Sequence, residues 1–325
     1  MPDKTVKPSY RLGIDLGGTK MCAVVIDPAG KICGRSKRST KPEQGYRRVL
    51  ARIARTGQEA LAEAGIQVSA IPFIGLGVPG PVDQARGRLL MSRNLKWDSK
   101  PIAQDLGLLM KRPVLIDNDV NCGALGEITC GAARKARTAV LAFVGTGLGG
   151  ALALDGRILS GAHGFGGEIG HMATPFSTAL CSCGQTGCLE TLVSKQGIMR
   201  LIIAAEKSGF KRRLVIPKDS HPKASDLVEA LKNGCQATRR ALKQSCDALA
   251  WGLAVTGTVF DPEVFVLGGG VMEALGDKLL PLVAKRMPAW SVLYRQHAPV
   301  LRLASLGDDA VALGATLLSV PVSAK

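Results

Sequence analysis

The chain has 325 residues, 46% hydrophobic and 21% charged, with 42 Lys and Arg against 26 Asp and Glu for a formal charge of +16. That is enough chain to bury one large or two ordinary cores, and too apolar for a disordered or fibrous protein. The 39 glycines sit in short apolar contexts without a repeat, which excludes collagen-like and low-complexity chains and points to tight turns and close backbone approach.

The first elements are two apolar strands from Arg11 to Asp27 joined by the glycine turn at Gly17-Gly18, with a second turn at Pro28-Ala29-Gly30. A helix is predicted over about 45–65, closed by Gly65, then a strand over 73–78 ending in Pro79-Gly80-Pro81. Val114–Asp117 reads as a short buried strand leading into Asn118-Asp119-Val120-Asn121 and a helix through Glu127. The second half opens in the same way, with strands at 139–144 and 151–155 around Gly145-Thr146-Gly147. Helices follow at about 190–207 and 225–258, then the strand 264–267 into Gly268-Gly269-Gly270, and a last helix after Gly307-Asp308-Asp309. Strands alternating with helices, and a duplicated opening hairpin, predict an α/β protein of two similar domains facing a shared cleft. The expected division is 1–121 and 122–325, with the last helix, about 308–325, able to pack back on the first domain.

The positive surplus suits nucleic acid, an anionic surface or a phosphorylated ligand, and does not choose among them. Its residues concentrate in 31–55 (Lys31, Arg35, Lys37, Arg38, Lys41, Arg47, Arg48, Arg52, Arg55) and in 195–223. These read as a loop-to-helix transition and a surface insertion. Lacking interleaved aromatics, they are expected to be solvated faces, with no nucleic-acid partner. Met1–Tyr10 carries no apolar signal-peptide stretch. The uncharged runs 138–154 and 248–260 are broken by glycine or shorter than the ~20 residues of a spanning helix. The expectation is a cytoplasmic protein that does not engage membranes. Nine cysteines is an odd number, and Cys22, Cys33, Cys122, Cys130, Cys235 and Cys246 stand singly in apolar or helical contexts, as reduced thiols do.

Three elements carry chemistry. Asp15-Leu-Gly-Gly-Thr19 occupies a hairpin tip, where glycines let backbone N–H groups and the Thr19 hydroxyl approach phosphate oxygens, with Asp15 toward Mg²⁺; an ordinary glycine turn is the alternative. Gly145-Thr146-Gly147 repeats the device, and Gly268-Gly269-Gly270 follows a buried strand, so a nucleotide cleft explains all three better than unrelated turns. His171, Cys181, Cys183 and Cys188 place four soft or borderline ligands within a short span, the donor set of a closed, structural Cys₃His zinc site. Disulfides are the competing reading, disfavoured by the odd cysteine total and the missing export signal. Asp119 leaves the carboxyl end of a strand, where α/β sheets place ligands, and could accept a proton from an attacking hydroxyl; taken alone, a helix N-cap explains it better, and only the surrounding motifs reverse that order.

Together these segments resemble the ROK family of sugar kinases and repressors, within the actin-like ATPase superfamily. The resemblance runs through Asp15-Leu-Gly-Gly-Thr-Lys20, Gly77-Val-Pro-Gly-Pro-Val-Asp83, Asn94-Leu-Lys-Trp97, Asn118–Glu127, Gly145–Gly150, Gly161–His171 and Cys181–Glu190. It implies two actin-like, ribonuclease H-like domains with mixed sheets flanked by helices. It further implies Asp119 as the base, and Gly80, Asn94, Asn118, Asp119, Glu168, His171 and Glu190 as sugar contacts. Asp15, Gly17, Gly18, Thr19, Lys20, Gly145, Thr146 and Gly147 resemble the phosphate loops, and Gly268 with Gly269 the adenosine motif. His171 is similar to the family histidine that ligates zinc through one ring nitrogen and approaches the sugar with the other. The glycine-rich approach to the first zinc cysteine is replaced here by Thr174-Pro-Phe-Ser-Thr-Ala-Leu180.

The activity implied is ATP- and Mg²⁺-dependent phosphorylation of a hexose at its 6-hydroxyl, with glucose first and N-acetylmannosamine, N-acetylglucosamine and fructose as runners-up. Polyphosphate is an alternative donor among relatives. A sugar-responsive repressor is the competing class; it needs a helix-turn-helix segment ahead of a first strand that here starts near Arg11. A homo-oligomer, dimer or tetramer, follows from the resemblance alone.

Overall fold

The computed structural model describes residues 9–211 and 223–319, which form two compact units. One comprises the chain up to Cys130, Gly161–Phe165 and the chain from Asp308; the other comprises Gly131–Ser160 and Gly166–Gly307. Most of the expected signal-free N-terminus, part of the expected 195–223 insertion, and the end of the last segment lie outside the described residues.

The first unit opens with β1 (Arg11–Leu16), β2 (Lys20–Ile26) and β3 (Ile32–Ser39), followed by helix α1 (Tyr46–Glu63). Strand β4 (Ile74–Val78) leads into a small sheet of β5 (Val82–Asp83), β6 (Arg88–Ser92) and β7 (Trp97–Lys100). Helix α2 (Ile102–Met110), strand β8 (Val114–Asn118) and helix α3 (Asp119–Thr129) complete the run. The main sheet has the order β3-β2-β1-β4-β8, antiparallel across the opening meander and parallel from β1 onward. The units part after Cys130, past the end of α3; a division after residue 121 would have cut this helix.

The second unit repeats this plan. Its strands are β9 (Thr138–Val144), β10 (Leu148–Leu154) and β11 (Arg157–Ile158), then helices α4 (Glu190–Val193), α5 (Lys195–Lys207), α6 (Ala224–Lys232) and α7 (Gln236–Phe260). Strand β12 (Val264–Gly268), helices α8 (Gly270–Arg286) and α9 (Leu293–Gln296), and strand β13 (Leu301–Leu303) follow. Its sheet order, β11-β10-β9-β12-β13, and its strand directions match those of the first sheet position for position. Breaks at Ser194 and Gly234 split the two long helices expected here. Ser194 ends α4 and caps α5 by accepting from the Gly197 amide, and Gly234, at φ 69°, separates α6 from α7.

The final helix, α10 (Ala310–Ala315), belongs to the first unit. It lies on the sheet at glycines because no side chain fits beneath it. A Cβ on Gly13 would stand 2.0 Å from the Ala312 carbonyl oxygen, and one on Gly75 1.8 Å from that of Ala315. Each unit has its own core: Leu12, Ile14, Met21, Ile53, Ile74 and Leu76 in the first, and Val140, Leu253, Phe265, Leu267 and Val283 in the second, all essentially inaccessible.

One expectation is corrected at 31–39. These residues form an edge strand, β3, and are no loop. Alternation across the strand explains their charge. Arg35 and Lys37 point one way, to Asp309 (2.5 Å) and Asp308 (3.2 Å); Ser36 and Arg38 point the other, to Glu59 on α1. Charged side chains on an edge also discourage pairing with another chain. Helices α2 and α8 and the small sheet had no counterpart in the sequence reading.

Candidate active site

In the first unit, the β1–β2 register pairs Leu16 with Met21 and leaves Gly17-Gly18-Thr19 at the tip. The tip is held from one side by Thr40, whose hydroxyl donates to the Gly17 carbonyl (2.6 Å) and whose amide donates to the Thr19 carbonyl (2.8 Å). A Cβ on Gly18 would stand 3.1 Å from Cβ of Asn94, so this predicted sugar contact sits beside the tip. Lys20 Nζ lies 2.6 Å from Asp308 Oδ1. The Asp15 carboxyl is pushed up to about 7 by burial and by the charge of Asp119, against the pull of Lys20, with Asp308 raising it further. Asp308 and Asp309 were read only as the start of the last helix; an acidic pair opposite a basic strand was the signal available.

The end of β8 divides two roles, helix cap and helix-start carboxylate, between two neighbouring residues. Asn118, and not Asp119, caps α3: its Oδ1 accepts from the amides of Val120 (2.8 Å) and Asn121 (3.3 Å). Asp119 is the first helical residue, and its Oδ1 accepts from the Val120 amide at 2.9 Å. Asn118 Nδ2 donates to the Gly80 carbonyl at 3.1 Å, joining two predicted sugar contacts. Gly80 has φ 132°, and a Cβ there would stand 2.1 Å from the Met91 carbonyl oxygen, so only glycine fits. Behind this turn the buried Asp117 has its pKa raised by burial, opposed by hydrogen bonds from Asn121, Asn118 and Gln84.

In the second unit, His171, Cys181, Cys183 and Cys188 bring four ligand atoms within 4.8 Å of one another. His171 Nδ1 lies 3.7 Å from Cys181 Sγ, and Cys183 Sγ lies 3.6 Å from Cys188 Sγ. A tetrahedral zinc with bonds of about 2.3 Å needs sulfur–sulfur edges of about 3.8 Å, so the donor set fits that ion in number, type and spacing. The other ring nitrogen, Nε2, faces Glu168 Oε2 at 3.9 Å. The Glu168 carboxyl is raised by burial, lowered by His171 and raised by Glu190.

Glu190, at the start of α4, lies under the glycine loop between β9 and β10. Its Oε2 accepts from the Leu148 amide (2.9 Å) and its Oε1 from the Ser182 hydroxyl (3.3 Å). A Cβ on Gly147 would stand 2.3 Å from that carboxylate, so the predicted phosphate loop and the predicted sugar contact touch. Gly145 is tied back through the Lys195 amide donating to its carbonyl (3.0 Å), and Thr146 sits between these two anchored glycines. Gly268 ends β12, Gly269 caps α8 at φ 82°, and the space a Cβ on Gly270 would enter is open, as is that beside Gly145. Ser182 was not singled out from sequence, although it lies between two predicted ligands. Among the described residues, no helix is long and apolar enough to cross a membrane.

The chain matches the ROK family over residues 11–321. It is 32% identical over 308 residues to the glucokinase of Halalkalibacterium halodurans, covering 94% of this chain and 93% of that protein. It is also 28% identical to the xylose repressor of Caldicellulosiruptor bescii, over 93% of this chain and 76% of the repressor. The crystal structure of a ROK family glucokinase from Streptomyces griseus in complex with glucose and AMPPNP superposes with a TM-score of 0.80 at 27% identity, covering 95% of this chain and 99% of that one. The chain therefore belongs to the ROK family and has the actin-like fold of its sugar kinases.

Proposed function

We propose that this protein is an ATP-dependent hexose kinase that phosphorylates glucose at the 6-hydroxyl, with Asp119 as the general base. The observation that carries the reading is the division of labour at the end of β8. Asn118 takes the helix cap, and Asp119 stands at the helix start as a carboxylate that accepts from the Val120 amide. A carboxylate so placed accepts the proton of a hydroxyl as that oxygen attacks phosphorus. ATP, when bound, supplies the transferred phosphoryl group.

The hairpin tip at Gly17-Gly18-Thr19 and the loop at Gly145-Thr146-Gly147 offer backbone and hydroxyl donors to phosphate oxygens, with Lys20 adding a cation. The raised Asp15, near Asp119 and Asp308, has the carboxylate surroundings whose repulsion a Mg²⁺ ion would relieve. Gly268 and Gly269, packed against Phe143, Ala304 and the Val144 backbone, shape the turn proposed to meet the nucleoside, and the open space lies beside Gly270. Gly80, Asn94, Asn118, Glu168, His171 and Glu190 orient the sugar hydroxyls. A zinc ion on His171, Cys181, Cys183 and Cys188 would fix the imidazole so that Nε2 stays beside Glu168.

The test is ADP release from Mg-ATP across glucose, fructose, mannose, N-acetylglucosamine and N-acetylmannosamine. Preference for glucose supports the reading. Preference for an N-acetyl sugar corrects the substrate and keeps the reaction. Silence on every sugar overturns the kinase, and the similarity to a xylose repressor then favours a sugar-responsive regulator.

A further inference from the structure

We infer that Asp117 is a positioning residue for the turn that carries Asn118 and Asp119, an inference that rests on the kinase reading for its consequence in catalysis. Asp117 ends the buried run of β8 and is 6% exposed. Its Oδ1 accepts from the Asn118 amide at 2.7 Å and from Nδ2 of Asn121 at 3.0 Å. Asp119 is therefore bracketed, with an anchored backbone amide one residue before it and an anchored side chain two residues after it.

The consequence follows from what a buried acceptor does. Donors drawn away from water need a partner, and one carboxylate oxygen serving both the Asn118 amide and the Asn121 side chain holds the turn in one arrangement. That arrangement gives Asn118 both of its tasks, capping α3 with Oδ1 and holding the Gly80 carbonyl with Nδ2. Through Asn118, whose amide donates to it and whose Nδ2 donates to the Gly80 carbonyl, the Asp117 carboxylate ties the β8–α3 turn to the segment preceding the small sheet. Removing the acceptor leaves buried donors unpartnered and frees the turn to move, and displacements of about an ångström at a reacting group cost up to about 100-fold in rate.

The experiment compares Asp117→Ala, Asp117→Asn, Asp117→Leu and Asn121→Ala with the wild type in sugar and ATP kinetics and in amide hydrogen exchange. Asp117→Ala is expected to lose between about 10- and 100-fold in kcat/KM for the sugar, with the KM for ATP within about twofold. Asp117→Asn keeps an acceptor oxygen and should recover most of that loss, whereas Asp117→Leu, which fills the space without an acceptor, should not; equal recovery in both would reduce the role to volume. Exchange at Val120 and Asn121 should accelerate in Asp117→Ala and stay slow in Asp117→Asn. Should Asp117→Ala fail to fold, Asn121→Ala, which removes a donor instead, is expected to shift sugar kinetics and exchange in the same direction. Wild-type kinetics and exchange in the alanine variants would overturn the inference. An inactive wild type would instead overturn the kinase reading, and the exchange data would still decide whether Asp117 holds the turn.

Discussion

His171 presents Nδ1 to Cys181 at 3.7 Å and so leaves Nε2 turned toward Glu168. One ring thereby links the thiol cluster to the carboxylate, so movement of the loop that carries the thiols would reach a group proposed to touch sugar. Cys183→Ser should therefore abolish stoichiometric zinc, measured by elemental analysis, and raise the KM for the sugar by about tenfold or more. A zinc-free variant with wild-type sugar affinity would break the proposed coupling.

Asp119→Asn keeps the shape and the amide contact of the side chain and removes its basicity. Turnover should fall by between about 10² and 10⁴, while sugar binding by calorimetry and the melting temperature stay near wild type. Near-normal ADP release would remove Asp119 from the role of base.

The elevated Asp15 carboxyl gives a signed pH effect. A folded pKa of about 7, above the unfolded value near 3.8, means that folding favours the neutral form. This contribution to stability is complete below about pH 4 and is lost as pH rises through about 7. Without divalent ions, Asp15→Asn should gain in melting temperature relative to wild type between about pH 4 and pH 8. Mg²⁺ should narrow the gap by stabilising the ionised wild type. A difference that stays flat across this range would contradict the assignment.

Helix α10 crosses α3 at a glycine, since a Cβ on Gly314 would stand 1.7 Å from the Cys122 carbonyl oxygen. Backbone cannot yield as a flexible side chain can, so Gly314→Ala should destabilise the protein by about 1–3 kcal/mol or more, read from denaturant unfolding. Gly270→Ala, entering open space, should cost far less. Equal losses would show that the close crossing does not limit α10.

Much of this molecule is legible in its sequence because its signals are local. The hairpin around Gly17-Gly18, its repeat around Gly145-Thr146-Gly147, and the spacing of His171, Cys181, Cys183 and Cys188 all depend on neighbours in the chain, and the family motifs are spelled along it. The edge strand β3 was hidden because its period-two pattern is written in Arg and Lys, whose partners, Glu59, Asp308 and Asp309, lie far along the chain. Whether Asn118 or Asp119 caps α3 was equally closed to sequence, since both residue types cap well and the choice depends on where the helix dihedrals begin. The covalent order of the chain decided which residue types could meet. Tertiary packing alone decided which nitrogen of His171 faces the thiols, which carboxyl has its pKa raised, and which glycines lie under a helix, because each depends on distances set by segments remote in sequence.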